Sequence, residues 1–221
     1  MTVGYFITLE GPDGSGKTTQ ARLLRERLAS LGYSVILTRE PGGTQIGDQI
    51  RTVLHDKRNT EMTARTEILL YSASRAQHVA QIILPALIAG EVVISDRFAD
   101  STLAYQGYGR GLDLQSLYTI TEFATRGLVP NLTLYLDIAS ELGLRRRRQS
   151  GEEWNRLDAE ALDFHKRTRA GYLELAGLNP ERWVVIDASQ TVSHVQSTLF
   201  AIARSRIESW CTQDTGQRLD P

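Results

Sequence analysis

The chain is predicted to be an α/β protein: three layers, with a mostly parallel five-stranded sheet covered by helices on both faces. Two observations predict this. Five short apolar runs alternate with longer amphipathic segments along the 221 residues, and that alternation implies a parallel sheet closed by crossover helices. Second, 41% hydrophobic and 23% charged residues suit one globular domain with a real core.

The first strand is Tyr5-Phe6-Ile7-Thr8-Leu9, an apolar run too short for a helix. A helical pattern follows near 17–31, and Val35-Ile36-Leu37-Thr38 reads as the second strand. Helical segments near 45–55 and 63–89 precede the third strand, Val92-Val93-Ile94-Ser95. A helix near 113–127 leads to Leu132-Thr133-Leu134-Tyr135-Leu136. Segments near 140–149 and 157–177 precede the last strand, Trp183-Val184-Val185-Ile186, and a helix near 191–210 closes the order. All five runs read as buried strands. The expected organisation is one domain over 1–212, with a mobile lid at about 143–157 and a polar tail at 213–221. Arg145 to Arg156 has mixed charge, a glycine and no apolar periodicity, which suits a flap rather than packed core. Ligands of such sheets sit at the carboxyl ends of strands, so Gly11, Arg39-Glu40-Pro41, Asp96-Arg97, Asp137 and Asp187 come first as candidates.

Net charge of −1 gives no reason to expect nucleic acid or an anionic membrane as partner. Lys17, Lys57 and Lys166 are the only lysines; the other basic residues are arginines. Arginine is the better fork for phosphate, although a GC-rich genome produces the same bias. The single Cys211 excludes an internal disulfide and a cysteine metal cluster. No window approaches the ~18 apolar residues of a membrane span, and the N-terminus does not read as a secretion signal. Cytoplasmic localisation is expected.

Gly11-Pro12-Asp13-Gly14-Ser15-Gly16-Lys17-Thr18 has Walker A spacing between a strand and a helix, the context that motif requires. Its glycines allow successive backbone N–H groups to point inward, and the helix N-terminus adds positive potential. Lys17 is expected on the β- and γ-phosphates of ATP and Thr18 on Mg²⁺. A guanine-reading Asn-Lys-x-Asp is missing, since no lysine follows an Asn or precedes an Asp by two positions. That disfavours a GTPase.

Further stretches narrow the reading: Thr38-Arg39-Glu40-Pro41-Gly42-Gly43-Thr44 with Gly47 and Ile50-Arg51; Leu70-Tyr71-Ser72-Ala73-Ser74-Arg75; Ser95-Asp96-Arg97-Phe98 with Asp100-Ser101 and Ala104-Tyr105-Gln106-Gly107; and Phe164 with Arg167-Thr168-Arg169-Ala170-Gly171-Tyr172-Leu173. In order and spacing, with the P-loop, they resemble bacterial thymidylate kinases over roughly residues 5–190. The resemblance implies the P-loop NTPase fold, ATP and dTMP as substrates, Mg²⁺ and a homodimer.

It also implies roles. Tyr71 and Arg75, four apart and so on one helical face, would stack on thymine and donate to its carbonyl; by themselves they are a commonplace exposed pair. Asp96 would help order Mg²⁺, and Arg97 would lie between the donor and acceptor phosphates; the two also read as an ion pair at a strand end. Tyr105 would lie against the sugar and exclude a 2′-hydroxyl, and Gln106 would read the base edge, unless both simply pack a helix start. Asp13 would contact the acceptor sugar, with Ser101 and Thr102 close by. Arg39 and Arg51 would bind the acceptor phosphate or remain surface charges.

Arg145-Arg146-Arg147-Arg148 is a solvated face on generic grounds. Related kinases place basic catalytic residues in the lid when the P-loop lacks an arginine, and here that position is Gly14. Arg146 and Arg148 are therefore expected to be catalytic, with Arg156 on ATP; an arginine so delivered can be worth ~10³–10⁵ in rate. The lid departs from the usual pattern with Ser150 before Gly151 and with Asn155 before Arg156. The expected activity is dTMP kinase, with a kinase for another monophosphate or a deoxynucleoside, or a non-catalytic nucleotide switch, as the alternatives.

Overall fold

The computed structural model describes residues 4–151 and 154–212; the predicted tail at 213–221 lies outside them. Strands β1 (Tyr5–Glu10), β2 (Val35–Arg39), β3 (Val92–Asp96), β4 (Leu132–Asp137) and β5 (Trp183–Asp187) form one parallel sheet in the order β2-β3-β1-β4-β5. Central β1 is buried at every residue. The outer strands β2 and β5 are not: Leu37 and Val185 are exposed. An edge strand has one unpaired flank, and that corrects the expectation of five buried strands.

Strand alternation divides β1 between two cores. Tyr5, Ile7 and Leu9 pack with α1 (Lys17–Ser30) and α9 (Val192–Thr212) through Leu24, Leu28, Leu199 and Ala203. Phe6 faces the opposite layer with Val93, Val79, Ile83 and Phe98. A third cluster joins Tyr135 of β4 to Tyr105, Phe164, Tyr172 and Trp183. Thr8 and Glu10 share the Phe6 face, so a hydroxyl and a carboxyl are carried into the interior at 0% exposure.

Helix α2 (Gln45–His55) starts where Thr44 accepts a hydrogen bond from the Gly47 amide; α3 (Ala64–His78) starts likewise at Thr63, which accepts from Thr66. These side-chain oxygens satisfy amides that a helix start leaves unpaired. After α3 the rod widens into a π-turn, Val79–Ile83, and ends as α4 (Leu84–Ile88). Pro85 has no N–H to give the preceding turn, so the altered register falls where the regular ladder would fail. Helix α6 (Leu114–Thr125) is capped by Asp113, which accepts from Ser116.

Two further boundaries differ from the sequence reading. A helix not anticipated runs through α5 (Ala99–Thr102) and a π-helical stretch, Leu103–Gly109. Helix α7 (Ser140–Gln149) has the bounds expected of it and carries Arg145–Arg148 on its last turns, so the irregular part of the expected flap starts only after it. Helix α8 (Leu162–Leu178) begins later than expected, because Asn155 Oδ1 accepts from the Leu157 and Asp158 amides and folds the chain into a turn first.

Candidate active site

A cleft of about 910 Å³ runs along the carboxyl ends of the strands, from the glycine loop after β1 to Tyr71, Arg75 and Gln106. The loop owes its shape to left-handed glycines: φ is +76° at Gly14 and +89° at Gly16, which is also the N-cap of α1. Only glycine takes these angles without a steric penalty. At Gly14 a second constraint applies, because a Cβ there would collide with the backbone of Gly143 on α7. The loop and the lid helix therefore meet backbone to backbone.

Lys17 Nζ donates to Pro12 O at 2.8 Å and to Ser15 Oγ at 3.3 Å, lying across the loop. Burial, then Arg97, pulls its ammonium down to about 8, against Asp13, Asp96 and Glu10. Thr18 Oγ1 donates to Asp96 Oδ2 at 2.6 Å, bringing the end of β3 to the start of α1.

Arg97 follows β3 in a left-handed conformation, φ +73°, uncommon for a side-chain-bearing residue. That turn aims the guanidinium back across the sheet end. Nη1 donates to Gly11 O at 3.0 Å, Ser101 Oγ at 3.2 Å and Tyr172 OH at 3.2 Å. Nη2 donates to Asp13 Oδ1 at 2.7 Å and Tyr105 OH at 3.0 Å. Tyr105 OH in turn donates to Asp13 Oδ2 at 2.9 Å. Burial works against ionising Asp13, but Arg97, Lys17 and these hydrogen bonds hold its carboxyl well below the usual range.

Behind this cluster stands Glu10, which sequence reading passed over. It accepts from the Phe98 amide at 2.8 Å, Ser101 Oγ at 2.6 Å and Tyr172 OH at 2.9 Å. Burial, then Asp100, pushes it up to about 7, against Arg97 and the hydrogen bonds from Ser101 and Tyr172. Ser101 and Tyr172 thus join Glu10 to Arg97.

Arg75 forms the floor of the far end, 2% exposed. It donates through Nε to Glu40 Oε2 at 2.7 Å, through Nη1 to Thr102 Oγ1 at 2.9 Å and through Nη2 to Phe98 O at 3.1 Å. His78 Nδ1 holds the other Glu40 oxygen at 3.0 Å, and its Nε2 meets Thr38 Oγ1 at 2.6 Å. These are charge-assisted bonds that fix a guanidinium in position. Its two outer nitrogens carry four N–H groups, and among the described residues two of these find protein acceptors. Tyr71 stands half-buried beside it in the cleft wall.

Arg39 and Arg51 both line the cleft: Arg39 Nη2 pairs with Asp48 at 3.4 Å, and Arg51 Nη1 donates to Pro41 O at 3.0 Å. Arg146 lines it too, its guanidinium donating to Ala188 O at 2.7 Å and Ser189 O at 3.0 Å. Arg148 is exposed, over the Trp154 ring at 5.2 Å. Arg156, expected on ATP, instead pairs with Glu67, which is bonded to Gln106 at the far end of the cleft, and donates to Leu54 O at 3.2 Å. Glu67 and His78 are not singled out in the sequence either, because their partners lie tens of residues away; Glu40 is marked there by its place after β2.

Chemically, the site joins an anion cradle, a half-buried arginine at mid-cleft and a floor of N–H donors. Among the described residues no cluster of three or more His, Cys, Asp or Glu could hold a metal alone. Thr18 and Asp96 are hard oxygen donors beside the cradle, which fits a Mg²⁺ that takes one or two protein ligands and completes its shell with phosphate and water.

The family model for thymidylate kinase matches residues 9–199. A thymidylate kinase of Roseiflexus castenholzii is 51% identical over 219 residues, covering 94% of this chain and 96% of that protein. One of Clostridium novyi is 53% identical over 196 residues, covering 88% and 96%. The crystal structure of thymidylate kinase from Ehrlichia chaffeensis superposes with a TM-score of 0.76 at 32% identity, covering 91% of this chain and 99% of that one.

Proposed function

This chain belongs to the thymidylate kinase family, and on that premise we propose how its residues carry the reaction ATP + dTMP → ADP + dTDP. It is a nucleoside monophosphate kinase of the P-loop class. The observation that carries the residue assignment is the place of Arg97, bonded at once to the loop that would cradle ATP and to the Asp13–Tyr105 pair at the acceptor end.

The Gly11–Thr18 loop, including Pro12 and Ser15, binds the ATP phosphates through backbone amides and Lys17. An ammonium with its pKa near 8 gains from the approach of phosphate. Arg97 lies where charge develops on the transferring group and offsets it. The acceptor phosphate is already anionic, so no general base is required; positioning and charge are sufficient. Arg39 and Arg51 hold that phosphate, Tyr71 stacks on thymine, and Arg75 donates to a ring carbonyl. Asp13, Ser101 and Tyr105 line the sugar, with Thr102 behind them fixing Arg75.

A lid at about 143–157, of which 152–153 lie outside the described residues, excludes water, with Arg146 as its cation at the phosphates; Arg148 and Arg156 join only if the lid moves. Mg²⁺, held through Thr18 and Asp96, would draw charge from the phosphate oxygens. A homodimer and a cytoplasmic location complete the proposal. Among the described residues no helix is long and apolar enough to cross a membrane.

The test is ADP release over a panel of dTMP, dUMP, UMP, CMP and AMP. The greatest kcat/KM is expected for dTMP, and a clear preference for AMP or CMP overturns the assignment.

A further inference from the structure

Glu67 begins an i, i+4, i+8 series with Tyr71 and Arg75 on α3, yet it does not line the cleft. It is 1% exposed and surrounded by donors. Its Oε1 accepts from Gln106 Nε2 at 2.8 Å and from Arg110 Nε at 3.2 Å; its Oε2 accepts from Arg110 Nη2 at 3.1 Å and from Arg156 Nη2. Burial opposes its ionisation, but the hydrogen bonds from Arg110 and Gln106 outweigh it and depress the carboxyl. An ionised carboxylate only accepts. The Gln106 amide therefore has to turn its nitrogen toward Glu67, which leaves its carbonyl oxygen for the cleft that Gln106 lines. Among the described residues, no protein donor reaches that oxygen.

We infer that Glu67 is a specificity-determining positioning residue: it locks the Gln106 amide with its carbonyl toward the acceptor base, so that the site accepts an N–H at ring position 3. Thymine and uracil carry that hydrogen, whereas cytosine presents a bare nitrogen there, which would face the carbonyl lone pairs. The same carboxylate holds Arg156, which joins this orientation to the last residues of the lid. The inference rests on the proposed placing of the base between Tyr71, Arg75 and Gln106.

The test is Glu67→Gln, read as the ratio of kcat/KM for dTMP over dCMP. Arg110 and Arg156 only donate, so they claim the single oxygen of the new amide. Its NH₂ then faces Gln106, whose amide turns over and shows nitrogen to the cleft. The dTMP/dCMP ratio should fall about tenfold or more, through KM more than kcat, because an N–H facing an N–H is an unsatisfied contact. A wild-type enzyme with no preference for dTMP over dCMP overturns the base placing itself. Wild-type preference kept intact in Glu67→Gln overturns the inference alone. Gln106→Met is the companion: it lacks the amide, so it should lose discrimination whether or not the Glu67 variant folds, and full discrimination in Gln106→Met also overturns the inference.

Discussion

The Asp13 carboxylate and the Arg97 guanidinium meet at 2.7 Å although 84 positions separate them in the chain. One comes from the phosphate loop and the other from the turn after β3, so the ion pair ties the loop to the end of β3 in the cleft wall. Each partner is also bonded to Tyr105.

Arg97→Ala should therefore lower turnover by more than about tenfold while ATP affinity changes little. Single-turnover kinetics with separate ATP titration measures both. Near-normal turnover would remove Arg97 from phosphoryl transfer.

Tyr105 offers a finer experiment. Its ring packs against Phe164 and Tyr172, and its hydroxyl orders Asp13 and Arg97. Tyr105→Ala should relax the exclusion of ribonucleotides, measured as the dUMP/UMP ratio of kcat/KM. Tyr105→Phe should keep that exclusion yet reduce kcat, since only the hydroxyl is lost. Equal ratios in all three proteins would place the sugar elsewhere.

Gly14→Ala should cost both stability and activity. It forces a left-handed angle on alanine and drives its methyl into the Gly143 backbone, a combination worth about 1–3 kcal/mol or more. Urea denaturation measures the first effect and ADP release the second. The crowding leaves no room for a side chain at position 14, which favours the proposed lid cation over one from the loop.

Among the lid arginines the geometry predicts an order. Arg146→Ala should reduce kcat by about tenfold or more, because Arg146 lines the cleft. Arg148→Ala should stay within about twofold, since that side chain lies over Trp154 outside it. Arg156→Ala should act on KM for dTMP, through Glu67. A reversed order for Arg146 and Arg148 would show that α7 turns when ATP binds.

Glu10 predicts a pH dependence of stability. With its pKa raised from 4.5 to about 7, the folded chain binds more protons than the unfolded one between these values. Stability should therefore fall as pH rises from 4.5 to 7, by up to about 3 kcal/mol from this group. Glu10→Gln removes that titration and should flatten the profile in denaturant melts. An unchanged slope would show that Glu10 is ionised throughout.

All five strands were legible because each is a short apolar run with a polar end, and the loop after β1 because its glycines keep fixed spacing. The helix over 99–109 was not. Its second part is π-helical, and the wider turn breaks the 3.6-residue periodicity by which amphipathic helices are recognised. Arg97 stood out beside Asp96 at a strand end; Glu10 and Glu67 did not, because a buried carboxylate is defined by donors arriving from distant elements. A local cue existed for Glu67 in its four-residue spacing to Tyr71. His78 shows the same limit, since its partners Thr38 and Glu40 arrive from the end of β2.

Glu40 has a consequence for affinity. Grasped from one side by Arg75 and from the other by His78, it fixes the floor of the cleft where the base is proposed to bind. An incoming nucleotide then has few side chains to order there, so the entropic cost of recognition is met in advance. Loosening that grip, for example with His78→Ala, should weaken dTMP chiefly by making its seat less rigid, without removing a group that touches it.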